Sequence, residues 1–270
     1  MKPFLRLIRP VNCTMAAVAV LIGAYLGGMS TFPPVLFAMV AAFVVSGGGM
    51  VINDYYDRDL DFIYDYDRPI PSGKVSLRTA LILASSLFTI GIYLSFWINI
   101  HAFAVAAVNS TLLIAYAKDL QKRFFISNLT VSFLVGSTFV FGGLAVENFL
   151  PALLLGSMAF FANTGREIIK DLEDKKADAT KEINSVPIVL GENKSRHISS
   201  VLVIAAIVLT PVPIVLGIFE LWYGIAVLAS VAVFVKSVKM IEFDEEAAKV
   251  QGMLKLGMLI GLIAFLVGAL

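Results

Sequence analysis

The chain has 270 residues, 59% of them hydrophobic, and a mean hydropathy of +0.87, well above the roughly 45–50% apolar usage of a soluble domain. Its formal net charge of +1 gives no reason to expect a nucleic-acid partner, and the single cysteine, Cys13, excludes a disulfide framework or a cysteine metal site. Only segments of about 20 apolar residues cross a bilayer as helices, so the composition implies an all-α, polytopic membrane bundle forming a single transmembrane domain over residues 1–270.

Nine apolar segments follow in chain order: 11–30, 35–55, 77–99, 101–117, 126–146, 151–171, 198–218, 220–236 and 250–270. The basic start, Met1 to Arg6, has the character of a signal peptide, but no cleavage site followed by a soluble domain is expected. The second segment carries Gly47-Gly48-Gly49 and ends in an acidic run, Asn53-Asp54-Tyr55-Tyr56-Asp57-Arg58-Asp59-Leu60-Asp61. A mixed-charge link, Lys118 to Arg123, follows the fourth, and Gly142-Gly143 lies late in the fifth. The sixth ends in a second acidic run, Asp171-Leu172-Glu173-Asp174-Lys175-Lys176-Ala177-Asp178. His101 and His197 are expected in loops.

The links near residues 31–34, 98–101, 147–150 and 217–221 contain no Lys or Arg, whereas the alternate links are basic. That asymmetry places the N-terminus and both acidic runs on the cytoplasmic side of the cell membrane. Acidic runs after the second and sixth segments also suggest two four-helix pseudo-repeats plus one helix, with the runs facing one another across the bundle.

Each acidic run forms a stripe if it continues its helix at about 100° per residue. Measured from Asn53, Asp57 falls near 40°, Asp61 near 80° and Asp54 near 100°, while Asp59 lies at about 240°. Measured from Asp171, Asp178, Glu167 and Asp174 fall within about 60°, and Glu173 lies on the far side at about 200°. Like charges at this spacing repel, so a stripe of carboxylates calls for a cation. Oxygen ligands without His or Cys select hard cations, Mg2+ first and Ca2+ or Mn2+ as alternatives. Mg2+ completes its shell with water and phosphate, so two stripes suit a diphosphate. Arg68, Lys118, Lys122, Arg123, Arg9 and Lys170 are the basic residues placed to bind its remaining oxygens.

Asn53-Asp54-x-x-Asp57-x-x-x-Asp61, followed by Arg68-Pro69-Ile70-Pro71-Ser72-Gly73, resembles the first signature of the UbiA superfamily of intramembrane prenyltransferases, and Asp171-x-x-Asp174-x-x-x-Asp178 resembles its second. The stretch from Gly165 to Asp174 is most similar to archaeal enzymes that add a second geranylgeranyl chain to geranylgeranylglyceryl phosphate. The chain departs from those sequences between Phe62 and Asp67, at Glu182, and at Ser185-Val186-Pro187. The resemblance implies transfer of an isoprenyl group from an allylic diphosphate, geranylgeranyl diphosphate in particular, to a lipophilic acceptor within membrane lipid. It implies Asn53, Asp54, Asp57, Asp61, Asp171, Asp174 and Asp178 on the metal side, Arg68 and Lys118 on the diphosphate, and Tyr116 beside the reacting carbon. Asn12, an amide in the apolar first helix, reaches either the cavity or a neighbouring helix. Lys122, Arg123 or Lys170 would meet an acceptor phosphate. An aromatic quinone precursor such as 4-hydroxybenzoate, or a chlorin, would keep the chemistry and change the product. A divalent-cation transporter would need polar residues reaching the far side, and the outer halves of the segments are apolar.

Overall fold

A computed structural model describes residues 2–180 and 183–270; Glu182, noted above, lies outside them. Among the described residues the ordered structure is helical, with no strand. In chain order the helices are α1 (Lys2–Ile8), α2 (Pro10–Leu26), α3 (Pro33–Tyr56), α4 (Arg58–Tyr64), α5 (Leu77–Phe96), α6 (Ile100–Lys118), α7 (Ile126–Ala145), α8 (Leu150–Thr180), α9 (Val186–Leu190), α10 (Glu192–Leu209), α11 (Val212–Val215), α12 (Leu221–Glu242) and α13 (Ala247–Gly268). Local chemistry sets many of the boundaries. Pro10 and Pro33 open α2 and α3, where a missing N–H costs nothing. Ser76 and Asn99 cap α5 and α6 by accepting from the N–H groups of Thr79 (3.1 Å) and Ala102 (2.8 Å).

Every expected apolar segment is helical, but the count of nine crossings is not reproduced. Among the described residues seven helical spans are long and apolar enough to cross a membrane, or eight if α1 and α2, bent by 46°, form one span. The expected 151–171 segment lies within α8, which runs on to Thr180 as one 31-residue helix with a charged second half. The expected 198–218 segment is interrupted at Thr210-Pro211, where Pro211 has no N–H to continue the helical ladder. His101 and His197 are not in loops: they sit exposed on α6 and α10.

The chain packs as two compact units, Met1–Gln121 with Thr138–Phe149, and Lys122–Ser137 with Leu150–Leu270. In the first unit α3 is central and packs against α2, α5 and α6. In lipid the helices gain little from hydrophobicity and close approach depends on small residues. Gly23 and Gly142 show why: a Cβ on either would lie 1.9 Å from a backbone oxygen, of Phe139 and Val20 respectively. The Gly47-Gly48-Gly49 run serves the same purpose, facing Ile8, Phe88 and Leu113. Beneath the acidic end a core of Leu7, Val51, Ile52, Ile70, Val75 and Ala117 joins α1, α3, α6 and the 65–76 loop. It fixes the ground on which the first acidic run stands.

In the second unit α8 packs against α10 and α13, and α12 against both. Its core includes Ile169, Val203, Phe234, Ile241, Val250 and Leu254. Gly136 and Gly156 meet where α7 enters beside α8, each blocking a Cβ on the other at 2.7 Å. The first part of α7 precedes α8 in this unit, and the second acidic run lies toward the end of α8.

Candidate active site

The first acidic run is almost one helix. A single interruption at Asp57 separates α3 from α4, yet the backbone ladder continues: Asp57 donates to Asn53 (2.9 Å), Asp61 to Asp57 (2.8 Å) and Asp65 to Asp61 (2.8 Å). The stripe inferred from helical periodicity survives. Asp54 and Asp61 are buried, Asn53 and Asp57 half-buried, and Asp59 points to solvent with its side chain 84% exposed.

Two guanidinium groups converge on the buried end. Arg9 Nη2 donates to Asp54 Oδ1 at 2.6 Å, and Arg68 Nη1 reaches the same oxygen at 3.2 Å and Asp61 Oδ2 at 2.8 Å. Arg68 Nε also donates to Asp65 Oδ2 at 3.1 Å. Arg9 sits at the α1–α2 bend with φ at 52°, a left-handed conformation that costs a non-glycine residue about 1–2 kcal/mol. Asp57 is held by amides instead: Asn53 Nδ2 donates to Oδ2 at 2.7 Å and Gln121 Nε2 to Oδ1 at 2.7 Å. Burial pushes the Asp61 carboxyl up from its ordinary value, while the Arg68 guanidinium acts the other way. Farther out, Asp67 accepts from Arg6 (2.9 Å) and Lys74 (3.1 Å), and those hydrogen bonds hold its carboxyl below the ordinary value. The 65–76 loop is thus tied down by ion pairs on both faces.

The second run lies wholly on α8. Asp171 is half-buried and accepts from Asn128 Nδ2 of α7 at 2.9 Å. Asp178 is half-buried and Asp174 exposed. Glu173 faces away from the stripe, as its angle requires, and accepts from Gln251 Nε2 of α13 at 2.5 Å. The other expected residues are more dispersed. Tyr116 is half-buried on α6, and Lys118 exposed at its end. Lys122, Arg123 and Lys170 are exposed. Asn12 is exposed on α2 rather than packed between helices.

Gln121, Asn128 and Asp65 were not among the expected residues. Asn128 had a legible signal, an amide in an otherwise apolar span; Gln121 and Asp65 had none beyond proximity to a motif. Among the described residues no group of three or more His, Cys, Asp or Glu side chains is gathered closely enough to hold a metal ion. The donor chemistry nevertheless fits a hard divalent cation. The first unit offers only carboxylate and amide oxygens at Asn53, Asp54, Asp57 and Asp61. The positive charge that Asp54 and Asp61 require is supplied here by Arg9 and Arg68.

Residues 16–265 match the UbiA prenyltransferase family. Over 271 residues the chain is 41% identical to the digeranylgeranylglyceryl phosphate synthase of Methanopyrus kandleri, with all of both chains covered. It resembles a solved structure concerned with digeranylgeranylglyceryl phosphate synthase in membranes at a TM-score of 0.92 and 36% identity, covering 99% of this chain and 98% of that one. A UbiA homologue from Archaeoglobus fulgidus, solved with DMAPP and Mg2+, is alike in fold, with a TM-score of 0.72 at 15% identity, covering 98% of this chain and 99% of that one.

Proposed function

This chain belongs to the UbiA prenyltransferase family and is a membrane prenyltransferase, and we propose that it transfers a geranylgeranyl group from geranylgeranyl diphosphate to the free hydroxyl of geranylgeranylglyceryl phosphate, a step of archaeal ether-lipid synthesis. The observation that carries the acceptor is the end-to-end likeness to the Methanopyrus synthase. Mg2+ is the metal in this reading, as in the Archaeoglobus homologue's structure. Asn53, Asp54, Asp57 and Asp61 in one unit, and separately Asp171, Asp174 and Asp178 in the other, are the residues that would hold it. Bound there, Mg2+ neutralises charge developing on the departing diphosphate.

The chain's own side chains supply the rest. Arg9 and Arg68, whose guanidinium groups rest on Asp54, release part of that contact and donate to diphosphate oxygens, joined by Lys118. Asn53 and Gln121 fix the Asp57 carboxylate so that its free lone pairs keep one direction. Lys122, Arg123 and Lys170, exposed and basic, serve the acceptor phosphate. Tyr116 lies beside the reacting carbon, and an apolar surround keeps water from the allylic cation. The basic links support a cytoplasmic side of the cell membrane for this chemistry. Purified protein with geranylgeranyl diphosphate and Mg2+ should yield product from geranylgeranylglyceryl phosphate and none from 4-hydroxybenzoate. The reverse pattern would replace the lipid acceptor with an aromatic one.

A further inference from the structure

An alcohol that becomes an ether must lose a proton, and none of the residues assigned so far takes it. We propose that Glu167 is the catalytic proton acceptor and Arg166 the residue that positions it; this assignment rests on the reading above that the acceptor is an alcohol.

Both residues lie on α8 where its apolar first half gives way to its charged second half, and an ionisable pair at the edge of an apolar segment is costly enough to suggest a task. Their side chains are 16% and 13% exposed, sealed enough to exclude bulk water yet open to a small group. They are ion-paired to each other. Adjacent residues on a helix do not face one another, so another contact must hold the pair in place, and the structure supplies it. Arg166 donates from Nε (3.2 Å) and Nη2 (3.1 Å) to Asn163 Oδ1. Asn163 Nδ2 donates to Ser132 Oγ at 3.1 Å, and Ser132 Oγ donates to the Asn128 carbonyl at 2.8 Å. Asn128 is the residue whose amide holds Asp171. Asn163 and Ser132 are buried, so this network is built, satisfied and fixed in register with the second acidic run.

Position along α8 gives the pair its task. Glu167 precedes Asp171 by one turn, about 6 Å along the axis toward the apolar part of the helix, and about 40° away around it. A diphosphate held by Asp171, Asp174 and Asp178 directs its apolar chain into the bilayer. The carbon bonded to the diphosphate then lies on the Glu167 side of the motif. As the carbon–oxygen bond to diphosphate breaks, its electron pair leaves with the diphosphate. The acceptor oxygen forms the new bond to that carbon, and its proton passes to a Glu167 carboxylate oxygen. Of the charged neighbours of Glu167, Arg166 and Lys170 are cations and cannot take it, and Asp171, which feels the charge of Glu167, is assigned to the metal. Lys170 Nζ lies 3.9 Å from Glu167 Oε2.

Glu167→Gln keeps the size and hydrogen bonding of the side chain and removes its capacity for a proton. In protein reconstituted in lipid, kcat should fall about 100-fold or more, the usual reach of general-base catalysis. KM for both substrates and Mg2+-dependent binding of geranylgeranyl thiodiphosphate should stay within about threefold, ordinary context scatter for a contact outside the binding group. The residual rate should climb with pH as hydroxide replaces the lost base. Glu167→Ala is the second arm, and formate should restore part of its activity, which a merely structural role would not allow. A kcat for Glu167→Gln near wild type, or no rescue by formate in folded Glu167→Ala, overturns the assignment alone. No product from geranylgeranylglyceryl phosphate with the unmodified protein overturns the acceptor reading and this assignment with it.

Discussion

Replacing Asp54 with Asn separates what the carboxylate does for the fold from what it does for chemistry. Its Oδ1 accepts from Arg9 at 2.6 Å and Arg68 at 3.2 Å. Stranding a buried charge by removing its partner typically costs about 3–5 kcal/mol. Neither guanidinium is stranded here. Arg68 keeps Asp61 at 2.8 Å and Asp65 at 3.1 Å, and the Arg9 side chain, 36% exposed, can turn to solvent. The amide oxygen of Asn still accepts a neutral hydrogen bond, so the expected loss is about 1–2 kcal/mol, the gap between charged and neutral hydrogen bonds. The chemical loss should be larger. Removing one preorganised electrostatic contact commonly costs about 100- to 1,000-fold in kcat. The assay is Mg2+-dependent transfer by purified Asp54→Asn in lipid, beside its thermal midpoint. A folded variant with normal turnover and an unchanged Mg2+ requirement would refute the reasoning. Asp59→Asn is the internal control: its side chain is 84% exposed and paired only loosely with Arg58 at 3.6 Å, so its activity should match wild type.

Gly142→Leu should prevent assembly of the first unit, because even its Cβ would lie 1.9 Å from the Val20 backbone oxygen; size-exclusion chromatography in detergent should show aggregation rather than a monodisperse peak. Gln121→Ala removes one of the two amides on Asp57, and its Mg2+ requirement should rise by about 10- to 150-fold, the worth of a hydrogen bond to a charged group at about 1.5–3 kcal/mol, with little change in stability. Glu173→Ala should leave turnover near wild type and lower the thermal midpoint, since its partner is Gln251 of α13 rather than anything on the acidic stripe. Arg6→Ala should do little to either: its pairing with Asp67 is at least half exposed, and such pairs contribute about 0–1 kcal/mol.

Periodicity made much of this legible. Apolar runs located every long helix, and the turn of about 100° per residue separated Asp54, Asp57 and Asp61 from Asp59 and placed Glu173 opposite Asp171. Those are local properties, fixed within one or two helical turns. Contacts between distant segments were not legible: Arg9 with Asp54, 45 residues apart, and Asn128 with Asp171, 43 residues apart, depend on helix packing that no window of sequence contains. Hydropathy likewise did not show how far α8 extends, since its charged second half continues the helix beyond the apolar part to Thr180. Asn12, an amide in an apolar helix, is exposed rather than packed against a neighbouring helix, which sequence alone did not reveal.

Metal-dependent prenyl transfer to a lipid alcohol can be followed directly in one assay. Protein reconstituted in lipid is given labelled geranylgeranyl diphosphate and geranylgeranylglyceryl phosphate, first with chelator and then with excess Mg2+. Labelled diether should be absent before Mg2+ and appear steadily afterward. Label that moves at the same rate in chelator, or that never reaches the glyceryl phosphate although Mg2+ is present, would contradict that expectation.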